Sequence, residues 1–461
     1  MKRAFIFLLI TLQPIFSQNI VSDTIIHEVE RKETLFSISQ MYSINVNDIL
    51  ELNPKLKDSR LKRKSKILIP VFELVQESIL IKKDNLSKED KLSRLDSIFV
   101  KKRKKDIQLN VSVLLPFRSK TVNYDSIREV ESLFEDRNLF TITLDFYSGI
   151  LYAIEDLKEL NISVNLNVFD TENSLNKLNE ISSNKLIINS DVIIGPLIPR
   201  NFETFSNIEL LKTIPKVFPL STIPIKIIKG VIQSVTPKKL LRERMVNYLD
   251  KNIDREENIV IIADSLNNDI DFKLSEIFPN SIKIKPEFEG YILPELLDSL
   301  LVDSLPNKVI VESEIFTLIS SVVSQLNSQI TNERDVKLYT TYRGNQYDDP
   351  SINIKDLGNL AFTYTSISKK INNDSISKYQ SRYLNLFGSL PNKDVIRGYD
   401  VTRDILLRIL IDKNLDRTTR HDEQSYTESK FLYKMDTLGG LFNSSMFILR
   451  HKEYDIEEII E

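Results

Sequence analysis

Cysteine is absent from the 461-residue chain, histidine occurs three times, and neither sign of charge prevails. Each shortage removes a class of chemistry. Without thiols there are no disulfides, no Cys-ligated zinc, no iron–sulfur cluster and no thiolate nucleophile. His27, His421 and His451 are scattered and offer none of the HxxxH or HxH spacings from which zinc hydrolases build a site. With 62 Lys and Arg against 65 Asp and Glu the formal charge is −3, so no overall cationic field is present to hold nucleic acid. Neither GxxxxGK[ST] nor GxGxxG occurs, which removes the glycine loops that cradle nucleotide phosphates. These counts lead us to expect no metal, no cofactor and no catalytic residue.

Long apolar runs are also scarce. Residues 4–12 form one at the N-terminus, preceded by Lys2-Arg3 and followed by Phe16-Ser17-Gln18. A positive start, an apolar segment too short for a bilayer and a small residue before a break predict a secretory signal over residues 1–17, cut after Ser17. No Cys follows that could accept a lipid, and no later stretch is long enough to span a membrane. The mature chain is therefore expected outside the cytoplasm, periplasmic or secreted, without a transmembrane segment. At roughly 150 residues per domain, its length suits about three domains.

What is present begins with a small module over residues 24–71. Residues 25–29 alternate as a strand, and Thr34 is a candidate N-cap for a helix with Leu35, Ile38 and Tyr42 at helical spacing. Asn45 then precedes a second short helix over 46–52, which ends at Asn53-Pro54, and 66–70 return as a strand. The order is β-α-α-β. This pattern resembles LysM, the small peptidoglycan- and chitin-binding domain, through His27-Glu28-Val29, Glu33-Thr34-Leu35-Phe36-Ser37-Ile38, Tyr42, Asp48-Ile49-Leu50, Leu52-Asn53-Pro54 and Ile67-Leu68-Ile69-Pro70. Lys32 stands where the family usually carries Gly. The resemblance implies a groove for N-acetylglucosamine-containing glycan formed by Glu33, Thr34, Leu35, Phe36, Asn53, Pro54 and Leu56. Ile38 reads as core, and a single copy implies weak binding because avidity needs linked sites.

Residues 72–107 are densely charged and end in the basic run Lys101-Lys102-Arg103-Lys104-Lys105, which reads as a tether. From 108 to 455 apolar strands alternate with amphipathic helices, the pattern of an α/β fold with parallel sheets. Strands are expected at 109–115, 163–169, 192–194 and 217–218, with a polar insertion at 118–140 and a helix at 145–160. The series then restarts after 231–235, with a helix at 239–249 and strands at 258–263, 281–285, 308–311 and 336–340. Two α/β units of similar size predict two lobes facing across a cleft, with ligands at the carboxyl ends of the strands.

This region resembles the type 1 periplasmic-binding-protein fold, that of leucine/isoleucine/valine receptors and penicillin-binding-protein activators. The residues that carry the resemblance are Leu114-Leu115-Pro116-Phe117, Asp145-Phe146-Tyr147-Ser148-Gly149, Asp170-Thr171, Ile194-Gly195-Pro196-Leu197, Pro219-Leu220-Ser221-Thr222 and Gly398-Tyr399-Asp400. It implies a cleft lined by Pro116, Arg200, Ser221 and Thr222 in one lobe and Asp264, Glu312 and Tyr342 in the other. Arg200 belongs to Leu197-Ile198-Pro199-Arg200, bulkier and more basic than the small-residue loop of amino-acid receptors. The expectation is a non-enzymatic envelope protein that binds peptidoglycan through LysM and a small polar ligand or a wall-synthesis protein through its body. The alternatives are an amino-acid-like receptor of an ABC importer and a cell-wall glycosidase, whose paired carboxylates composition alone does not exclude. Ser366 to Lys369 and Ser375 to Lys378 fit SxxK, but the KTG partner of acylating enzymes is missing.

Overall fold

The computed structural model describes residues 21–29, 33–35, 38, 39, 42, 46–56, 61–72, 107–135, 137–286, 290–369, 377–412 and 414–460. The signal segment, nearly all of the charged spacer with its basic run, and Phe36 lie outside these residues. The chain divides into two compact units between Glu89 and Asp90.

In the smaller unit, β1 (Val21–Glu28) pairs antiparallel with β2 (Lys66–Phe72), placing His27 opposite Ile67. A helical turn follows β1, in which the Ile38 N–H donates to the Thr34 carbonyl at 3.0 Å and the Tyr42 N–H to that of Ile38 at 3.1 Å. Next comes α1 (Val46–Leu52). Val29, Ile38, Ile49, Ile67 and Ile69 form the core, with Leu35, Tyr42 and Leu56 packed against it. The β-α-α-β order and the core position of Ile38 are as expected.

The larger unit holds two seven-stranded sheets. β3 (Ile107–Leu115), β4 (Ile162–Asp170), β5 (Val192–Ile194), β6 (Lys216–Phe218) and β7 (Val231–Gln233) are parallel members of the first. β8 (Asn258–Ala263), β9 (Ile282–Ile284), β10 (Asn307–Glu312), β11 (Val336–Tyr339) and β12 (Thr363–Ser366) are parallel members of the second. β13 (Gln424–Ser425) and β14 (Lys430–Phe431) form a small ribbon. β15 (Tyr433–Met435) and β16 (Leu441–Asn443) extend the first sheet, whereas β17 (Phe447–Lys452) and β18 (Asp455–Glu458) extend the second. The orders are β15-β16-β7-β6-β5-β3-β4 and β18-β17-β12-β11-β10-β8-β9. The chain thus crosses between sheets three times: after β7, after β12 and after β16. Two lobes result. β5, β6 and β7 are short and buried throughout, as parallel strands covered on both faces must be. The strand read at 231–235, where the series restarts, sits in the first sheet beside β6.

Four helices matter below: α2 (Ile127–Glu135), α3 (Leu139–Glu159), α4 (Lys238–Asn252) and α5 (Lys393–Ile411). α3 begins six residues before the expected 145. Asn138 caps it by accepting the N–H groups of Phe140 and Thr141, while Thr141 Oγ1 accepts that of Asn138, a reciprocal box that nucleates the first turn. α3 and α5 cross at two glycines. A Cβ on Gly149 would lie 2.0 Å from the Val395 carbonyl oxygen, and one on Gly398 would lie 2.2 Å from that of Phe146. Within α5, buried Arg408 donates from Nε to both carboxylate oxygens of buried Asp404 at 2.9 and 2.8 Å, its guanidinium 4.8 Å from the Tyr433 ring centroid.

Candidate functional site

In the small unit the glycan candidates divide by what already holds them. Asn53 is a clamp: its amide nitrogen donates to the carbonyls of Ile49 at 2.7 Å and Leu68 at 2.6 Å, and its oxygen accepts the Leu68 N–H at 2.9 Å. It joins α1 to β2. The Glu33 carboxylate lies 2.9 Å from His27 Nε2, while His27 Nδ1 lies 3.0 Å from the Tyr42 hydroxyl. Leu35 and Leu56 lean on the core. Thr34 and Pro54, by contrast, are exposed.

In the large unit the structure brings Thr222 and Tyr342 together. Their hydroxyls are 3.1 Å apart although 120 residues separate them, and they come from the carboxyl ends of β6 and β11, one in each lobe. The Lys238 ammonium sits 4.3 Å from the Tyr342 ring centroid, and the Lys238 N–H donates to the Thr222 carbonyl at 3.1 Å. Ser221 Oγ accepts the Ile223 N–H at 3.1 Å, which closes a local turn. Pro116 is buried at the end of β3, and Arg200 is exposed in the first turn after β5.

The two acids are occupied by their own lobe. Asp264 accepts the Leu266 N–H at 3.0 Å and the Asn267 amide at 2.8 Å on one oxygen, and the Ser313 hydroxyl at 2.7 Å on the other. Glu312 accepts the Thr341 N–H at 2.6 Å and its hydroxyl at 2.7 Å, with Arg242 of α4 at 3.7 Å. Burial pushes the Glu312 carboxyl up to about 6, against these hydrogen bonds and the nearby cation. Such a network satisfies the loops that follow β8, β10 and β11. It leaves Asp264 and Glu312 few lone pairs for a guest ammonium group.

Further contacts hold the body together. Buried Arg397 donates to the Ser234 carbonyl at 2.7 Å, the Ser429 hydroxyl at 3.1 Å and the Pro219 carbonyl at 3.3 Å. Lys393 meets Asp348 at 3.5 Å, and Glu458 of β18 meets Lys430 at 2.7 Å and Lys369 at 3.0 Å. Asp400 accepts the N–H groups of Thr427 and Glu428 at 3.1 and 3.0 Å, so its role is architectural. A groove of about 390 Å³ lies elsewhere, at the end of the edge strand β4, lined by Ser119, Lys120, Val168, Asp170, Lys177 and Asn184. Asp170 there is taken up by the N–H groups of Arg118, Ser119 and Glu172.

His451, in the sequence only one of three scattered histidines, is a core residue in the structure. It lies 2% exposed on β17, 5.7 Å from the Phe362 ring and 5.8 Å from that of Tyr364, and neither ring nitrogen has a hydrogen-bond partner among the described residues. Burial, and then Arg343, lower its pKa to about 4. An unfolded histidine takes up its proton near pH 6.5, whereas the folded one resists to about 4. The neutral-state stabilisation is therefore complete above 6.5 and lost as pH falls toward 4. Comparing His451→Phe with wild type by urea unfolding should show the variant gaining about 2 kcal/mol on the parent between pH 7.5 and pH 5. Glu312 titrates identically in both proteins and cancels. A pH-independent difference would contradict a neutral, buried imidazole.

Residues 27–70 match the family model for the LysM domain. No curated protein matches the sequence. Among solved structures, a candidate branched-chain amino-acid ABC transporter protein from Rhodospirillum rubrum superimposes with a TM-score of 0.51 at 12% identity, covering 77% of this chain and 100% of that one. LpoA from Haemophilus influenzae gives 0.49 at 12% identity, over 77% of this chain and 60% of that one. The leucine-binding protein LivK from Thermotoga maritima gives 0.41 at 16% identity, over 77% and 98%. The expected fold, two lobes of the type 1 periplasmic-binding-protein kind behind a LysM unit, is the observed one. No helix among the described residues is long and apolar enough to cross a membrane.

Proposed function

We propose that this LysM-bearing, two-lobed chain is a non-enzymatic component of a bacterial cell envelope, periplasmic or secreted, held on peptidoglycan by residues 24–71 and presenting its body to a protein of wall synthesis. The LysM match over residues 27–70 carries the reading. Thr34, Pro54 and the adjoining backbone are the glycan contacts, with Glu33 kept in place by His27 and Asn53 fixing the second loop. Polar backbone groups beside small apolar surfaces suit an acetamido sugar. For the body, docking is favoured over solute capture because Ser221, Thr222, Asp264, Glu312 and Tyr342 already hydrogen-bond within the protein.

Sedimentation with purified sacculi tests the anchor. The full chain is expected in the pellet, and the chain lacking residues 24–71 in the supernatant; equal retention overturns the assignment. Thermal-shift screening against amino acids should leave the melting temperature unmoved, whereas a rise of several degrees would mark a solute receptor. Clearing of a peptidoglycan gel would mark a glycosidase.

A further inference from the structure

The segment between β3 and α3, polar by its overall composition, contains a helix whose apolar side the described residues cover only in part. α2 carries Ile127, Val130, Leu133 and Phe134, which at 3.6 residues per turn fall within about 120° of its circumference. No residue of α2 is buried. Ile127 is 75% exposed, Phe134 56%, and Tyr124 just before the helix 69%. A nine-residue helix does not persist in water by propensity alone, and three contacts fix this one. Phe134 meets Phe140 of α3 edge to face at 5.6 Å. The Asn138 amide donates to the Leu133 carbonyl at 2.8 Å. Arg137, at the joint, clasps Asp394 of α5 with two bonds of 2.9 Å. The stripe is thus held outward by a firm mount.

Charge identifies the kind of occupant. Residues 124–135 hold Asp125, Glu129, Glu131 and Glu135 against Arg128, four negative and one positive, net −3. At 100° per residue Glu131 borders the stripe on the Ile127 side and Glu129 on the Leu133 side. Carboxylates on both borders repel an anionic lipid surface and repel a second α2 laid against the first. They suit an apolar groove with Lys and Arg on its rim.

We propose that α2 is a docking helix that lays Tyr124, Ile127, Val130 and Phe134 into a basic-rimmed apolar groove of a partner protein. This rests on the protein-partner half of the proposed function and names the surface used. The apolar anchors supply affinity, and the flanking carboxylates set orientation and rate of encounter.

The test places the photo-crosslinker p-benzoylphenylalanine at Ile127 of the full chain in its native host, with Leu186, 52% exposed in another helix, as control position. A protein joined through position 127 and not 186 is identified by mass, purified and titrated against the full chain. Ile127→Asp with Phe134→Asp should weaken binding at least tenfold. Glu129→Lys with Glu131→Lys should also weaken it and flatten its salt dependence, and sedimentation with sacculi should be unchanged by either pair. Adducts only with lipid or with a second copy, or no adduct, overturn the proposal. A wall-synthesis protein that binds all variants equally also overturns it, while leaving the proposed function standing.

Discussion

Gly398→Ala is expected to destabilise the large unit by more than about 3 kcal/mol, the upper range for overpacking, because the new methyl meets backbone rather than a side chain that can swing aside. Helix propensity alone predicts the opposite sign, a gain of about 1 kcal/mol for alanine over glycine in a helix interior. The crossing decides. Gly398 faces the Phe146 carbonyl, and Gly149 on the opposing helix faces that of Val395, so the two axes approach where neither carries a side chain. Adding a Cβ at either place forces α3 and α5 apart and opens gaps among Phe146, Ile150, Val401 and Ile405 in the first-lobe core. Gly388→Ala is the control, since its backbone has φ of +78° but nothing lies within 4 Å of the added atom. Its cost should be about 1 kcal/mol, from the left-handed conformation alone. Urea unfolding followed by far-UV circular dichroism reads both; equal losses would refute the crossing argument.

The second large effect concerns Asp404 and Arg408. Both are essentially inaccessible, with side chains 0% and 1% exposed. Arg408→Met strands a carboxylate in the interior and should cost about 3–5 kcal/mol, whereas Asp404→Leu combined with Arg408→Met should recover most of that loss. Burial already raises the Asp404 carboxyl while Arg408 opposes it. Without the guanidinium the folded carboxyl rises further. A carboxyl whose folded pKa lies above its unfolded value loses stability as pH climbs through that interval, so the single variant should be less impaired at pH 4.5 than at pH 7.5. Losses that simply add in the double variant would mean the pair is not coupled.

Local signals made much of this architecture legible. Leu35, Ile38 and Tyr42, at helical spacing after Thr34, marked the first helix of the small unit, and short apolar runs ending in Pro, Gly, Ser or Asp marked the strands of both lobes. The motifs holding Gly149 and Gly398 were visible too, though their reason lies in a crossing formed by helices some 250 positions apart. The candidate cleft was less legible because what engages each side chain is remote. Thr222 finds Tyr342 across 120 positions, Asp264 finds Ser313 across 49, and Glu312 finds Thr341 across 29. No spacing rule reports such partners. Asn53 was read as a sugar contact from its motif, yet its three bonds fasten a helix to a strand. α2 went unread because carboxylates between Ile127, Val130 and Phe134 hide an apolar period that averaging over the whole insertion erases.

The Arg397 contacts bear on how the body responds to load. Its guanidinium holds Pro219, Ser234 and Ser429 at once, at the root of the connection leaving the first sheet. Drawing any of the three away would leave a desolvated cation short of acceptors, so the start of that connection is pinned to α5. Any pivot on this connection is thereby displaced to the residues beyond Ser234, and its root stays a fixed post of the first lobe.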